Sequence, residues 1–358
     1  MRQPAVPRTV DRLPPHDLRF LPLPTGGRLA YATIGHGPPL VVPAAWIGHL
    51  ELMWQDPAVR GFYAPLARRR TVVLYDKPGC GLSDPPPGRQ TLDTDLDVLA
   101  TLADHLALER FDLLGISMGA PVSVAFAARW GARVERLVLY GGYAVGGRIA
   151  SPELRAAVMD LVRAHWGLGS DVLADIFLPD GSAETKAWFA ELQRGATSAE
   201  VACQLLDQCY RNDVDDLVEG VLTPTLVLHR RDDRAIPYRL GRELAARIPS
   251  ARLVTLSGRS HFPHAGDAQA LVHAILDFLG EPGEAPRPSP GHPLTPRQAQ
   301  VAALVAEGLT NRQIAGRLGI QERSAEGHVE RIRVRLGFRS RAQVAVWWAQ
   351  ADGEVPLR

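Results

Sequence analysis

The chain has 358 residues, of which 46% are hydrophobic and 22% charged, and its formal net charge is +1. This composition excludes a largely disordered chain, and the length allows one large domain and a smaller one. Since no apolar run reaches the roughly 18 residues of a membrane helix and the N-terminus has no apolar export segment, we expect a cytoplasmic protein without membrane contact.

The spacing of the cysteines indicates whether they form disulfides or bind a metal. The three cysteines, Cys80, Cys203 and Cys209, have neither a pairing nor a metal-binding spacing, which favours reduced thiols. We predict neither a metal site nor a cofactor.

Residues 293–358 hold ten arginines, no lysine and six acids, whereas the other 292 residues carry a net charge of −3. Attraction to phosphate favours the basic C-terminal part as a nucleic-acid contact.

After a tail at residues 1–16, short β-branched segments alternate with helical patterns up to residue 280. This alternation predicts an α/β domain at 17–280 with a mainly parallel sheet covered by helices. The stretch from about 151 to 219 breaks the alternation, because it is helical and rich in aromatic residues, and we interpret it as a lid. The predicted strands are Arg28–Ile34, Leu40–Pro43, Thr71–Asp76, Phe111–Gly115, Arg136–Tyr140, Thr225–His229 and Arg252–Leu256.

The main chemical motif is Gly115-Ile116-Ser117-Met118-Gly119, which lies between an apolar strand and a helical pattern. A serine at a tight strand-to-helix turn projects its hydroxyl above the sheet, and flanking glycines allow close backbone approach. The alternative, an accidental match in a loop, does not explain the strand and helix on either side. Ser117 is therefore the candidate nucleophile.

A serine hydroxyl needs a base to remove its proton and an acid to hold that base. Two later loops supply such groups at predicted strand ends, where parallel strands bring loop residues together. The first loop contains Asp232 and Asp233, and the second contains His261, with His264 close behind. The order serine, acid, histidine is the one expected for this strand-turn-helix motif.

These motifs, from about Asp17 to Gly280, resemble the α/β-hydrolase family. The resemblance selects Asp233, four residues before a proline, as the acid and His261 as the base. It is supported by the glycine-rich turn Tyr75–Ser83. The alternative interpretations are a solvated loop carboxylate at Asp233 and a structural histidine at His261.

The chain departs from the family at the loop after an early strand. The family usually has His-Gly there, where a backbone N–H completes the oxyanion hole, but this chain has Pro43-Ala44-Ala45-Trp46. A backbone donor tolerates such a change. The resemblance therefore implies an oxyanion hole made by the N–H of Ala45 or Trp46 together with that of Met118.

The apolar residues in and after this loop indicate the chemical class of the ligand. Trp46, Met53 and Trp54, with some lid aromatics, are candidates to line a pocket, although the alternative places them in the core. Ligand pockets are largely apolar with a few polar groups, so we expect a small, mostly hydrophobic carbonyl compound.

The segment Glu281–His292 contains four prolines and reads as a semi-rigid linker. Beyond it, residues 293–358 are predicted to form a small all-α domain of four helices. Capping boxes begin at Thr295, Thr310 and Ser340. A helix from about Asn311, a turn at Gly319 and a second helix from about Glu322 to Leu336 form a helix-turn-helix.

Residues 294–348 resemble the C-terminal DNA-binding domain of LuxR-type transcription regulators, which implies double-stranded DNA as a partner and a homodimer. The alternative is a helical packing module without DNA binding. By similarity, positions 326, 327 and 330 face base edges, while other residues of the two helices lie near phosphates. The predicted DNA-binding set is Asn311, Arg312, Arg323, Ser324, Glu326, Gly327, His328, Glu330, Arg331 and Arg335.

Three functions follow from this combination. The first is a transcription regulator whose hydrolase-like domain binds a small ligand. The second is an active serine hydrolase, of esterase or lactonase type, tethered to DNA, which the set Ser117, Asp233 and His261 favours. The third is an inactive domain retained for dimerisation, which only the altered Pro43–Trp46 loop favours. The sequence leaves turnover undecided.

Overall fold

The computed structural model describes residues 17–280, 296–318, 320–336, 338 and 340–351. The chain divides into two compact units between Leu279 and Gly280. The predicted tail (1–16), linker (281–292) and first cap residue Thr295 lie outside the described residues. Within the described part, no helix combines the length and apolar character needed to cross a bilayer.

The first unit is built on an eight-stranded sheet in the order β1-β2-β4-β3-β5-β6-β7-β8. Strand β2 pairs antiparallel with both β1 and β4, and the remaining pairs are parallel. The strands are Asp17–Pro22 (β1), Arg28–Ile34 (β2), Pro39–Val42 (β3), Thr71–Tyr75 (β4), Phe111–Ile116 (β5), Val134–Tyr140 (β6), Thr225–Arg230 (β7) and Ala251–Leu256 (β8).

Helices cover both faces of this sheet. Every residue of the central strands β5 and β7 is buried, as expected for parallel strands with helices on each side. The helices packed around the sheet are Leu50–Gln55 (α1), Pro57–Ala67 (α2), Leu92–His105 (α3), Gly119–Arg129 (α4), Tyr238–Arg247 (α9) and Ala268–Leu279 (α10). The predicted α/β class is therefore confirmed. The seven predicted strands are all present, with ends that differ by at most two residues, and β1 was not predicted.

Four helices inserted between β6 and β7 occupy the region predicted as a lid. Serine side chains cap three of them, since Ser151, Ser182 and Ser198 each accept a hydrogen bond from an N–H of the first turn. Their inward faces form a separate apolar cluster that includes the buried Phe189. The helices are Pro152–Ala164 (α5), Trp166–Phe177 (α6), Ala183–Ala196 (α7) and Ala199–Arg211 (α8).

In the described part of the second unit, four helices surround one apolar cluster. Two capping boxes are formed: Gln313 Oε1 accepts from the Thr310 N–H at 2.8 Å, and Gln343 Oε1 accepts from the Ser340 N–H at 2.9 Å. Helix α12 begins at the predicted residue, helix α13 has the predicted bounds, and the two form the helix-turn-helix. The helices are Pro296–Ala306 (α11), Asn311–Leu318 (α12), Glu322–Leu336 (α13) and Arg341–Ala351 (α14).

Candidate active site and nucleic-acid interface

Ser117 lies at the turn between β5 and α4, in the left-handed backbone region with φ of 53°. Such a conformation is strained for a residue with a side chain and is common at functional turns. The flanking glycines make the turn sterically possible. A Cβ on Gly115 would lie 2.5 Å from Ser123 Oγ, and a Cβ on Gly119 would lie 2.7 Å from the carbonyl oxygen of Pro43.

Asp233 and His261 form a buried pair at the ends of β7 and β8. His261 Nδ1 lies 2.7 Å from Asp233 Oδ2, and because a carboxylate only accepts, Nδ1 carries the proton. The other carboxylate oxygen, Oδ1, accepts from the N–H groups of Ala235 and Ile236 at 2.9 and 3.0 Å. Burial would raise the pKa of Asp233, but the interactions with His261, His229 and the Ile236 N–H outweigh it and lower the pKa. The carboxylate is thus kept ionised and oriented.

The remaining nitrogen of His261, Nε2, is buried and has no hydrogen-bond partner among the described residues. With Nδ1 protonated, Nε2 carries a lone pair and can accept a proton. Both His261 and Ser117 line one cavity. The structure therefore brings the predicted nucleophile and base to a common space and directs the acid to the far side of the imidazole, the arrangement that general-base activation of serine requires.

Two residues that the sequence did not indicate help to shape this pair. Gly141, directly after β6, has φ of 58°, and a Cβ there would lie 2.9 Å from His261 Cε1. His229 is fully buried, and its Nε2 donates to the Ile236 carbonyl at 2.9 Å. Burial lowers the pKa of His229, although the Asp233 charge opposes the shift, so the ring is neutral at pH 7.

The three predicted oxyanion donors have unused N–H groups. The backbone N–H groups of Ala45, Trp46 and Met118 meet no acceptor among the described residues. Ala45 and Trp46 line the cavity, whereas the Met118 side chain is buried in the apolar cluster of the lid helices. The close approach of Gly119 to Pro43 brings the two loops together. Such free donors can stabilise an oxyanion, since the geometry of a backbone N–H does not depend on its side chain.

The cavity has a volume of about 120 Å³ and a mostly apolar wall. The predicted lining residues Trp46, Met53 and Trp54 all contact it, and of the lid aromatics Phe177 does so. Phe189, by contrast, packs inside the lid, 2% exposed. The wall also contains Asp76 and Lys77 from the glycine-rich turn, Tyr63 from α2, and His264, which the sequence did not place there.

A buried arginine fixes the loop that carries His261. Arg230, the last residue of β7, donates to the carbonyl oxygens of Ser260 at 2.6 Å and Phe262 at 2.9 Å, and also to that of Ala265. On the other side, the His261 N–H donates to the Phe177 carbonyl at 2.8 Å. Both interactions hold the loop backbone, and neither was anticipated from sequence.

The recognition helix α13 presents the predicted polar face. Ala325, Val329 and Ile332 are buried in the unit's core, as predicted. Among the predicted DNA-binding residues, the exposed ones are Arg312, Arg323, Glu326, Glu330 and Arg331, and the partly buried ones are Asn311, Gly327 and His328. The side chains of Ser324 and Arg335 lie outside the described atoms, as does Gly319.

Three contacts refine this surface. A Cβ on Gly327 would lie 3.3 Å from Arg331 Nη1, so the arginine lies across the glycine. Glu330 is paired with Arg333 at 2.7 Å. Asn311 Oδ1 accepts from Arg341 Nη1 of α14 at 2.7 Å, which leaves the amide N–H₂ as the group of Asn311 that can donate to phosphate. The role of Arg341 in placing Asn311 had no signal in the sequence.

Comparison with known proteins adds two family matches. A family model described as the alpha/beta hydrolase family matches residues 34–275, and one described as bacterial regulatory proteins, luxR family, matches residues 292–348. Together they cover the two units of the structure.

Two similar proteins and one similar solved structure are named as hydrolases or a lactonase. A 2-hydroxy-6-oxononadienedioate/2-hydroxy-6-oxononatrienedioate hydrolase of Pseudomonas putida is 31% identical over 70% of this chain and 91% of its own length. A 2-hydroxy-6-oxo-2,4-heptadienoate hydrolase of Pseudomonas putida is 30% identical over 60% of this chain and 80% of its own length. The solved enol-lactonase from Burkholderia xenovorans LB400 is 28% identical, with a TM-score of 0.62, over 73% of this chain and 99% of that one.

Proposed function

Because the chain belongs to the alpha/beta hydrolase family and ends in a LuxR-type DNA-binding domain, we propose that it is a transcriptional regulator. Its hydrolase domain binds a small, mostly apolar carbonyl compound of ester type, and its C-terminal unit binds double-stranded DNA. The observation that carries the proposal is the presence of both a formed cavity at Ser117 and a formed recognition helix in one polypeptide.

The lid supplies a physical basis for ligand response. The Phe177 carbonyl of the lid accepts a hydrogen bond from the backbone N–H of His261 in the base loop. Gln193 Oε1, on α7, accepts a hydrogen bond from the Trp46 indole Nε1 at 3.4 Å. A ligand in the cavity touches Trp46 and Phe177, so its affinity differs between arrangements of the lid. Only such a difference lets a ligand shift an equilibrium. Helix-turn-helix regulators bind paired half-sites, so the functional form is a homodimer on DNA.

Selection of duplexes from a random library by the full-length protein tests the DNA-binding part. We expect one enriched sequence, and we expect Glu330→Ala to relax the preference at one base-pair position by about 1 to 3 kcal/mol, since Glu330 faces base edges. Glu307→Ala in the second unit is the matched control because it removes an acid outside the helix-turn-helix. Absence of any enriched sequence at low ionic strength would contradict the proposal.

A second function, serine hydrolysis, is favoured by a specific observation: His261 has a proton on Nδ1 and an unpartnered lone pair on Nε2 toward the cavity of Ser117. The unused N–H groups of Ala45, Trp46 and Met118 add the means to stabilise an oxyanion. The similar proteins are named as hydrolases and a lactonase, which agrees with an ester or lactone substrate. Regulation and hydrolysis are compatible, because a sensor that hydrolyses its inducer would end the response that the inducer started.

A fluorophosphonate probe tests this second function directly. The wild-type protein should be labelled, and Ser117→Ala should not be. Ser123→Ala is the matched control, since Ser123 is a buried serine of α4 whose hydroxyl donates to the Gly119 carbonyl and lies outside the cavity. Unlabelled wild-type protein would rule out an activated serine and leave the regulatory proposal standing.

A further inference from the structure

Two of the polar side chains that line the cavity of Ser117 lie outside the triad and have no hydrogen-bond partner among the described residues. One is Tyr63, on α2, which is 7% exposed. Its ring packs edge-on against Phe62 with 5.0 Å between centroids, and its hydroxyl meets no hydrogen-bond partner among the described residues. Burial raises the pKa of Tyr63, so the hydroxyl stays protonated and can both donate and accept.

The other is His264, whose ring stacks on Phe262 with 5.0 Å between centroids. No described residue donates to it or accepts from it. Burial lowers the pKa of His264 to about 4; the charge of Arg230 adds to this shift and that of Asp56 opposes it. At neutral pH the ring is therefore uncharged and offers one N–H donor and one nitrogen acceptor.

The two charged side chains of the cavity wall, Asp76 and Lys77, already have partners. Both carboxylate oxygens of Asp76 accept backbone hydrogen bonds, from Leu50 and Leu82. Lys77 Nζ donates to both oxygens of Asp95 at 2.6 Å. Buried polar groups almost always have a partner, and each exception calls for an explanation. Tyr63 and the half-buried His264 both line the space where a ligand would lie, and neither has a partner among the described residues, so a ligand can supply one.

The charges of the wall exclude an anionic ligand. Among the residues that line the cavity, Lys77 is the only lysine or arginine, and Asp95 neutralises it. A ligand carboxylate would lose its water without gaining a cation, and it would share the cavity with the Asp76 carboxylate. Burial of an unpaired charge is strongly unfavourable, whereas a neutral hydroxyl or ketone needs only hydrogen bonds.

We infer that Tyr63 and His264 recognise an uncharged oxygen function, a hydroxyl or ketone, on a ligand whose ester carbonyl lies at Ser117. This inference rests on the proposed ligand-binding function and specifies the ligand class. It also separates this chain from similar hydrolases whose names specify dioates, since a dioate has two carboxylates and the described residues of this cavity wall include no unpaired lysine or arginine.

Calorimetric titration of the full-length Ser117→Ala protein provides the test, because that variant binds esters without consuming them. The probes are methyl hexanoate, methyl 6-hydroxyhexanoate and monomethyl adipate, which share a chain length and end in a methyl group, a hydroxyl and a carboxylate. We expect the hydroxyl probe to bind about tenfold more tightly than each of the other two, the difference that one good hydrogen bond makes.

Variants in the same Ser117→Ala background identify the residues. Tyr63→Phe and His264→Phe should each remove most of the preference for the hydroxyl probe over methyl hexanoate. His264→Gln, which retains a donor and an acceptor, should keep part of the preference. Tyr210→Phe is the matched control, since Tyr210 lies in the lid outside the cavity wall.

The outcomes separate the inference from the function on which it rests. Equal affinity for the methyl and hydroxyl probes, or tightest binding of the carboxylate probe, would overturn the inference and leave ligand binding in place. Retention of the hydroxyl preference by both phenylalanine variants would also overturn it. Failure of all three esters to bind would overturn the proposed ester-binding function itself, and the inference with it.

Discussion

The backbone N–H of His261 donates to the carbonyl oxygen of Phe177, the last residue of lid helix α6, at 2.8 Å. The last carbonyls of a helix have no partner within the helix, so this one is satisfied by the loop of the proposed base. The Phe177 ring also packs 5.5 Å from the His261 ring. The lid and the base are therefore coupled by direct contact, and a movement of the lid changes the position of the imidazole.

Removal of the Phe177 ring should weaken this coupling. Phe177→Ala deletes contacts with His261, Phe189 and Phe262, and for a partly buried phenylalanine we expect a loss of about 2 kcal/mol in unfolding free energy. Fluorophosphonate labelling should also slow, because the base loop is less constrained. Urea denaturation and labelling rates measure the two effects. Leu168→Ala, at a half-exposed position of the same helix, is the control and should change neither.

Arg230 should be essential for the stability of the base loop. In Arg230→Met, the carbonyl oxygens of Ser260, Phe262 and Ala265 lose their donor, and since an unpaired buried acceptor costs about 1 to 3 kcal/mol, we expect a total loss of about 3 kcal/mol. Arg230→Lys should lose less because it keeps one donor group. Urea denaturation gives the values.

The neighbouring Arg231 provides the control for Arg230. It is exposed, and its guanidinium lies over the Tyr238 ring rather than on the loop carbonyls. Arg231→Met should therefore change the stability by less than about 0.5 kcal/mol. Equal losses in the two methionine variants would show that the loop carbonyls do not depend on Arg230.

The sequence predicted best those features that a short stretch of consecutive residues determines. The start of α12 followed from a capping box and the bounds of α13 from helical spacing, and the structure has the same positions. Ser117 was recognised from five consecutive residues between a strand and a helix. Strand β1 was not predicted because it is short and its side chains are mostly exposed, so the polar and apolar alternation over Asp17–Phe20 marks no buried face; it is formed by pairing with β2.

The features that sequence reasoning did not find depend on residues distant in the chain. Arg230 acts on carbonyl groups about 30 residues later, and a charged residue in a strand gives no sign that it will be buried. Tyr63 and His264 meet in one cavity although about 200 residues separate them. Gly141 is one glycine among 33, and only the position of His261 shows why it cannot be another residue.

His264 should make the protein sensitive to acid. Its pKa is lowered from 6.5 to about 4 in the folded state, so the unfolded chain binds this proton more readily. The contribution to stability is therefore complete above pH 6.5 and decreases as pH falls toward 4. Between pH 7 and 5 the loss from this residue should be about 1 to 2 kcal/mol.

Urea denaturation at the two pH values isolates this effect. In His264→Gln the decrease in stability between pH 7 and 5 should be smaller than in the wild type by that amount. His36→Gln is the control because it removes an exposed histidine from a surface turn. If the two variants show the same pH dependence, His264 is not the group that titrates.

Arg331 supplies a positive charge on the side of α13 that we propose to face DNA. Arg331 is exposed on α13 and lies over Gly327, so its guanidinium is available to one phosphate. Arg331→Ala should weaken binding to all duplexes nearly equally and reduce the slope of log K against log salt concentration by about one unit, because one fewer counterion is released. Fluorescence anisotropy across a salt series measures the slope.

Arg252→Ala removes an exposed arginine of β8 in the first unit and should leave the slope unchanged. A variant that keeps the wild-type slope but changes its sequence preference would place Arg331 on a base edge instead.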